Sequence, residues 1–431
     1  MKSVLVIAHD FPPFGGGGVL RVLKFTKYLL EFGWNPIVLS VDPTYYPAGL
    51  LDYSLMSEIP EQVKIYRTKT AISAYKIKET NKKENKKFNW RNILENFIPD
   101  SFRVIQDHGF FWLPYALAKA QSIIQKENIQ LIFTTSPPHN VHILGSILKK
   151  RYGLPWVADF RDGWTRNEMY TAKSQLRQQI DKVFERFIVN LADQIICVTP
   201  ELAEDFYQDY PKVKKKTSVI YNGFDPADFE KLNKVEKDKN TFTLSHIGSL
   251  AAKPNRSPEI ILQAVSSIAS TNKEFKENFR LEFVGPVLNL PLEEMITKYS
   301  LESICSVVGV VPHLRALEHM QKADALLLLT NHKQKFGDSA ILAGKFGEYL
   351  FTANPILAVV SEGIAKDIVE NYDLGYVVSP DDLEKTKEFL YELFYKWKNK
   401  SLPNNKDKGL TSLFNRKCST EKLANIFNNL S

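Results

Sequence analysis

Val4-Leu5-Val6-Ile7-Ala8 runs into His9-Asp10-Phe11-Pro12-Pro13-Phe14-Gly15-Gly16-Gly17-Gly18, and a helix-period segment begins near Val19. The apolar run is short and unbroken, which is how a strand buried on both faces reads. Glycines at a strand-to-helix turn remove Cβ atoms, so backbone N–H groups and the positive end of the helix dipole can approach an anion. A tight turn accounts for one or two glycines; a longer run is costly in entropy unless something approaches closely. Strand, glycine turn and helix together predict an α/β domain with a parallel sheet.

The same alternation extends outward. Val4–Ala8, Pro36–Val41, Gln130–Thr135, Trp156–Phe160 and Gln194–Thr199 read as strands, and Leu20–Phe32, Leu113–Glu127, Val141–Tyr152 and Ser174–Ala192 as helices. A second series runs through Phe242–Ile247, Leu281–Val284, Ser306–Val308, Ala325–Leu329 and Ile356–Val359. Between them, a short strand from Ser218 meets Asn222-Gly223 and Asp225-Pro226, turn signals that mark a domain boundary. The expected domains are 1–221 and 222–416, with a last helix at about 417–431.

At 431 residues the chain is long enough for two cores, and 44% hydrophobic with 24% charged residues is ordinary globular composition. No run of apolar residues is long enough to span a membrane, and the N-terminal run lacks a signal-peptide pattern, so a cytoplasmic protein is expected. Cys197, Cys305 and Cys418 lie far apart with no CxxC spacing, which reads as reduced thiols and excludes a disulfide framework or zinc site. The net charge of +7 is concentrated between Lys76 and Lys87, beside Phe88, Trp90, Phe97 and Phe102. That segment reads either as a solvated face or as a weak, peripheral contact with anionic lipid at the inner face of the cell membrane; no motif for nucleic acid accompanies it.

Charged residues at the carboxyl ends of parallel strands point to the crevice where such sheets bind ligands. Arg161 and Asp162, after Trp156–Phe160, are therefore candidates, with an internal salt bridge to Asp159 or Asp162 as the structural alternative. Thr134, Thr135, Ser136 and His139 end another strand toward the same crevice, whereas His142 reads as a surface or capping histidine. A dinucleotide site fails on detail, because Arg21 stands where the third glycine belongs. In the second series, Gly248 ends a strand and Lys253 and Arg256 follow, a pattern suited to a diphosphate. Lys345 and Glu348 share a helical face, which by itself suggests an exposed ion pair.

In order along the chain, these segments resemble the retaining GT-B glycosyltransferases of the family-4 type, common in bacterial polysaccharide synthesis. The resemblance is carried by Asp10-Phe11-Pro12-Pro13 with its glycines, Glu31-Phe32-Gly33-Trp34, Thr135-Ser136-Pro137-Pro138 and Ala158-Asp159-Phe160-Arg161-Asp162. It continues in Tyr221-Asn222-Gly223-Phe224-Asp225, His246-Ile247-Gly248-Ser249-Leu250, Ala323-Asp324-Ala325-Leu326-Leu327-Leu328, Gly344-Lys345-Phe346-Gly347-Glu348-Tyr349-Leu350 and Pro355-Ile356-Leu357-Ala358. It implies two facing Rossmann-like domains with a central cleft, the first holding a saccharide or lipid-linked acceptor and the second a nucleotide-sugar donor. Glu348 would accept the ribose hydroxyls, Arg256 with Lys253 would bind the diphosphate beside Gly248 and Lys345, and Val310-Val311 would wall the base. Gly16 and Gly17 would approach the donor from the opposite domain, and Arg161, Asp162 and His139 would line the reacting centre. Transfer with retention and no metal or other cofactor is what the likeness implies.

One departure stands out. Related enzymes often carry a glutamate eight positions before the ribose-binding one; here that position is Ala340, with Asp338 out of register. Two alternatives follow from it: a nucleotide-sugar epimerase of the same fold, or a catalytically weak partner in polysaccharide assembly.

Overall fold

The computed structural model describes residues 1–16, 18–71, 109–166, 175–232, 235–252, 256–330, 342–405 and 410–431. The lysine-rich segment 76–87 and its aromatic neighbours lie outside the described residues, as do Gly17, Lys253, Asp338 and Ala340. The chain divides into two compact units, Met1–Tyr221 with Arg416–Ser431, and Asn222–Asn415.

The first unit is built on strands β1 (Lys2–Ala8), β2 (Trp34–Val41), β3 (Lys64–Thr68), β4 (Ile129–Ser136), β5 (Trp156–Phe160), β6 (Gln194–Cys197) and β7 (Thr217–Val219). They form one parallel sheet in the order β3-β2-β1-β4-β5-β6-β7. The order reverses between β1 and β4, which opens a crevice at their carboxyl ends. Central strands are mostly apolar because helices cover both faces, and β5 is buried along its whole length, Asp159 included. Helix Val19–Leu29 continues as a 3₁₀ turn, Leu30–Phe32, and stops at Gly33, whose φ of 84° suits glycine. Helix Arg416–Leu430 completes this unit: Leu423 and Phe427 are buried in its core, and the Phe427 ring meets the edge of Trp34 at 5.2 Å.

The second unit repeats the plan with β8 (Phe242–Ile247), β9 (Leu250–Ala251), β10 (Phe279–Val284), β11 (Val287–Leu288), β12 (Cys305–Gly309), β13 (Ala325–Leu329), β14 (Ile356–Val359) and β15 (Gly375–Val378). Its main sheet is parallel in the order β12-β10-β8-β13-β14-β15, beside a short β11-β9 ribbon. Numbered from β8, this matches the connectivity of the first sheet. Phe242, Phe275, Phe279 and Phe394 pack at its centre, with helices Glu259–Thr271 and Leu383–Lys398 on one face. Both units are thus Rossmann-like.

The pattern reading anticipates the central strands and not β3, β15 or helix Leu383–Lys398. Strand β6 is shorter than read, because Thr199 already caps the next helix by accepting the Leu202 N–H at 3.2 Å. Among the described residues, no helix is long and apolar enough to cross a membrane.

Candidate functional site

At the carboxyl edge of the first sheet, Asp159 lies fully buried on β5 and is held by Arg21 from helix Val19–Leu29. The contact is bidentate, Nε to Oδ2 at 3.0 Å and Nη2 to Oδ1 at 2.8 Å, and the Thr135 hydroxyl donates to Oδ2 at 2.7 Å. Arg21, which displaces the dinucleotide glycine, is an internal strut. Asp159 is thus taken by a different arginine, which leaves Asp162 as the acidic neighbour of Arg161.

Arg161 is half-buried and spends its guanidinium on backbone carbonyls. Nε donates to Ser136 at 2.7 Å, Nη2 to Pro137 at 2.7 Å, and Nη1 to Gly18. It therefore ties β5 to the two loops at the switch point, with exposed Asp162 lending its charge nearby. A Cβ on Gly18 would strike this guanidinium, one on Gly16 would sit 2.6 Å from the Phe14 ring, and one on Gly15 would sit 3.0 Å from Asp52. Close approach at Gly15, Gly16 and Gly18 is thus to neighbouring side chains of the same unit.

His139 stacks on Trp164 with ring centres 5.3 Å apart, and its Nδ1 lies 3.0 Å from the Ser136 hydroxyl. Burial, reinforced by the Arg161 charge against a hydrogen bond with the Gly163 backbone, lowers its pKa to about 3. Its ring is therefore neutral at physiological pH and stands as a hydrogen-bonding wall beside Trp164. His142 is corrected: it is fully buried against Phe160 and bonds Thr134 at 2.8 Å. Thr134 and Thr135 likewise point their hydroxyls inward.

At the carboxyl edge of the second sheet, β8, β10 and β12 end side by side at Gly248, Gly285 and Gly309, with φ of 132°, 133° and 79°. The Gly248 N–H donates to Val284 at 2.7 Å and the Gly285 N–H to Gly309 at 2.7 Å. Gly248 thus offers space and not a free donor. That space is taken by Lys345, whose Nζ would be 3.0 Å from a Cβ on Gly248 and lies 3.2 Å from the His246 ring nitrogens. His246 Nδ1 faces the Leu327 carbonyl at 3.0 Å, so the ring is held beneath the ammonium. Burial, and then the positive charge of Arg256, hold Lys345 well below the ordinary lysine range, while Glu348 opposes them. Arg256 is itself fixed by donating to the Ser249 hydroxyl at 2.6 Å. Arg256, Lys345 and Glu348 thus stand close enough at this sheet edge to act on one another's charge.

Glu348 lies in the first turn of helix Phe346–Thr352 and is 7% exposed. The exposed Lys345–Glu348 ion pair is therefore excluded. Instead, His313 places Nε2 3.7 Å from Glu348 Oε1 and 3.7 Å from Asp228 Oδ2. Sequence reasoning misses both partners, although Asp225-Pro226 announces the helix that carries Asp228, and His313 directly follows Val310-Val311-Pro312. Val310 is 65% exposed just beyond Gly309, an apolar surface at the same edge; Val311 is half-buried.

Residues 81–228 match the model of Glycosyltransferase Family 4. The D-inositol 3-phosphate glycosyltransferase of Streptomyces avermitilis is 22% identical over 247 residues, 53% of this chain and 52% of that protein. The chain thus spans about half the length of the curated relative it matches. Over whole chains, sucrose-phosphate synthase from Thermosynechococcus elongatus superposes with a TM-score of 0.67 at 14% identity, covering 100% of this chain and 99% of that one. S. aureus TarM, in a complex with fondaparinux, α-GlcNAc-glycerol and UDP, gives 0.62 at 11% identity, with coverage of 99% and 100%. The fold is GT-B, and the chain resembles the family-4 glycosyltransferases. Within this GT-B chain the family match ends at Asp228, in the first helix of the second unit, so the cations and Glu348 lie beyond the matched segment.

Proposed function

We propose that the chain transfers a sugar from a nucleotide-sugar donor, held by the 222–415 unit, to a saccharide or lipid-linked saccharide acceptor. The reading is carried by one observation: Arg256 and Lys345 stand together at the carboxyl edge of the β8 sheet with Glu348 buried beside them. A diphosphate would neutralise the two cations, and the carboxylate would accept hydrogen bonds from ribose hydroxyls. The UDP bound in TarM supports a nucleotide as ligand. The family match and the curated relative support a transferase over an epimerase.

In this reading the bond from the anomeric carbon to the diphosphate breaks, and the electron pair leaves on the phosphate oxygen that the two cations stabilise. The acceptor oxygen bonds the same face of the sugar, giving retention, and its proton leaves with the departing phosphate. His139 lines the reacting centre with a neutral ring. The cations do the work that a metal does elsewhere, so none is required.

A thermal-shift panel of UDP-, GDP-, ADP- and TDP-sugars tests the proposal. One nucleotide class should raise the melting midpoint in a concentration-dependent way, as ligand linkage demands. No shift with any of them, at concentrations that saturate related sites, would sink the donor assignment.

A further inference from the structure

Helix Gln175–Leu191 is inverted. Its inward face begins with Arg177, Asp181 and Glu185, all nearly or fully buried, and becomes apolar only at Ile188 and Val189. These buried polar groups bond one another and the neighbouring loops: Arg177 Nε meets Asp181 Oδ2 at 2.6 Å, and Glu185 accepts from the Thr165 N–H at 3.2 Å, its hydroxyl at 2.6 Å and the Tyr210 hydroxyl at 3.0 Å. The outward face carries Leu176, Ile180, Val183 and Phe187, the spacing of a core-facing stripe. Leu176 is 55% exposed, Val183 67% and Phe187 41%, and Ile147 on the adjoining helix Val141–Tyr152 is 40% exposed. An exposed apolar stripe of this extent marks an interaction surface.

Charge decides what covers it. Lys182 and Arg186 flank the stripe and are exposed, and Lys150 sits over the Phe187 ring at 4.4 Å. The helix holds no other acids than Asp181 and Glu185, both buried, so its outer face presents apolar and basic groups without a carboxylate. A second copy docked symmetrically would bring two such basic, carboxylate-free faces together, like charge against like. An anionic lipid surface suits the pattern: apolar side chains enter the acyl boundary while lysine and arginine reach back to the headgroups. We propose that the outer face of helix Gln175–Leu191 seats the first unit on an anionic membrane surface. This rests on neither the donor assignment nor the lysine-rich segment 76–87.

The test is co-sedimentation of the full chain with vesicles of phosphatidylcholine containing phosphatidylglycerol, against phosphatidylcholine alone, at low and high salt. Wild type should bind the anionic vesicles, less so at high salt. Val183→Gln with Phe187→Gln should weaken binding about tenfold or more, and Lys182→Gln with Arg186→Gln, which leaves the stripe intact, should remove the preference for phosphatidylglycerol. Melting midpoints should stay at the wild-type value, since all four side chains are exposed. The inference falls if wild type does not bind, or if both variants bind as wild type does. It falls equally if sedimentation velocity shows a lipid-free dimer that Val183→Gln with Phe187→Gln dissociates, which would make a second copy the occupant.

Discussion

Arg21 grips Asp159 with two parallel hydrogen bonds, and the two side chains are 3% and 0% exposed. Water cannot compensate either charge if the other is lost. Arg21→Met should therefore destabilise the protein by about 3–5 kcal/mol, whereas Arg21→Met combined with Asp159→Leu should recover a large part of the loss. Urea unfolding of the three variants measures this, and equal destabilisation of the single and double variants would show that the pair is not the source.

Arg161 holds the switch-point loops through a planar fork that lysine cannot reproduce. Arg161→Lys should lower the transfer rate about 10- to 100-fold through loop displacement, with a smaller change in donor affinity. Gly18→Ala should act alike, because its Cβ would occupy the guanidinium position. Steady-state transfer beside calorimetric donor binding distinguishes the two quantities. A fully active Arg161→Lys enzyme would make the strap dispensable.

Glu348 is buried where a ribose would lie in the proposed function. Losing its charge-assisted hydrogen bonds, about 1.5–3 kcal/mol each, should weaken binding of the preferred nucleoside diphosphate at least about tenfold in Glu348→Ala. Glu348→Gln should lose less, because it keeps one acceptor. Wild type should discriminate against the 2′-deoxy nucleotide and Glu348→Ala should not; calorimetric titration of both ligands reads the ratio directly, and an unchanged ratio in the alanine variant would refute the role.

Lys345 gives the site a pH signature. Burial and Arg256 depress its pKa in the free protein, and a bound diphosphate would supply the counter-charge that raises it again. Between the free and bound values, binding takes up a proton. Affinity is then greatest below the free-state pKa and declines as pH rises through the bound-state value. Titrations in buffers of different ionisation enthalpy should show uptake in wild type and none in Lys345→Met. Binding without proton exchange across the neutral and alkaline range would mean that Lys345 does not meet the phosphates.

Central strands such as β1, β5 and β13 are legible in the sequence because burial on both faces leaves continuous apolar runs. Edge strand β3, Lys64-Ile65-Tyr66-Arg67-Thr68, is half-exposed and carries no such signal. The site was only partly legible. Spacing places Lys345 and Glu348 on one helix face, but their fates diverge through tertiary contacts with His246 and His313, far away in the chain. That Phe14, Asp52 and Arg161 pack against the glycine run is not legible, because it depends on where the folded chain sets those side chains. Helix Gln175–Leu191 is amphipathic by period, yet only the partners Thr165 and Tyr210 reveal that its polar side faces inward.

The return of helix Arg416–Leu430 to the first unit has a consequence for synthesis. Leu423 and Phe427 are core residues beside Trp34 and Phe133, so the sheet that is translated first lacks part of its interior until the last turns of that helix leave the ribosome. The unit spanning Asn222–Asn415 has all its residues available earlier. The order of completion is therefore the reverse of the order of translation, and the nascent first sheet must carry an unfilled hydrophobic face throughout synthesis of the second.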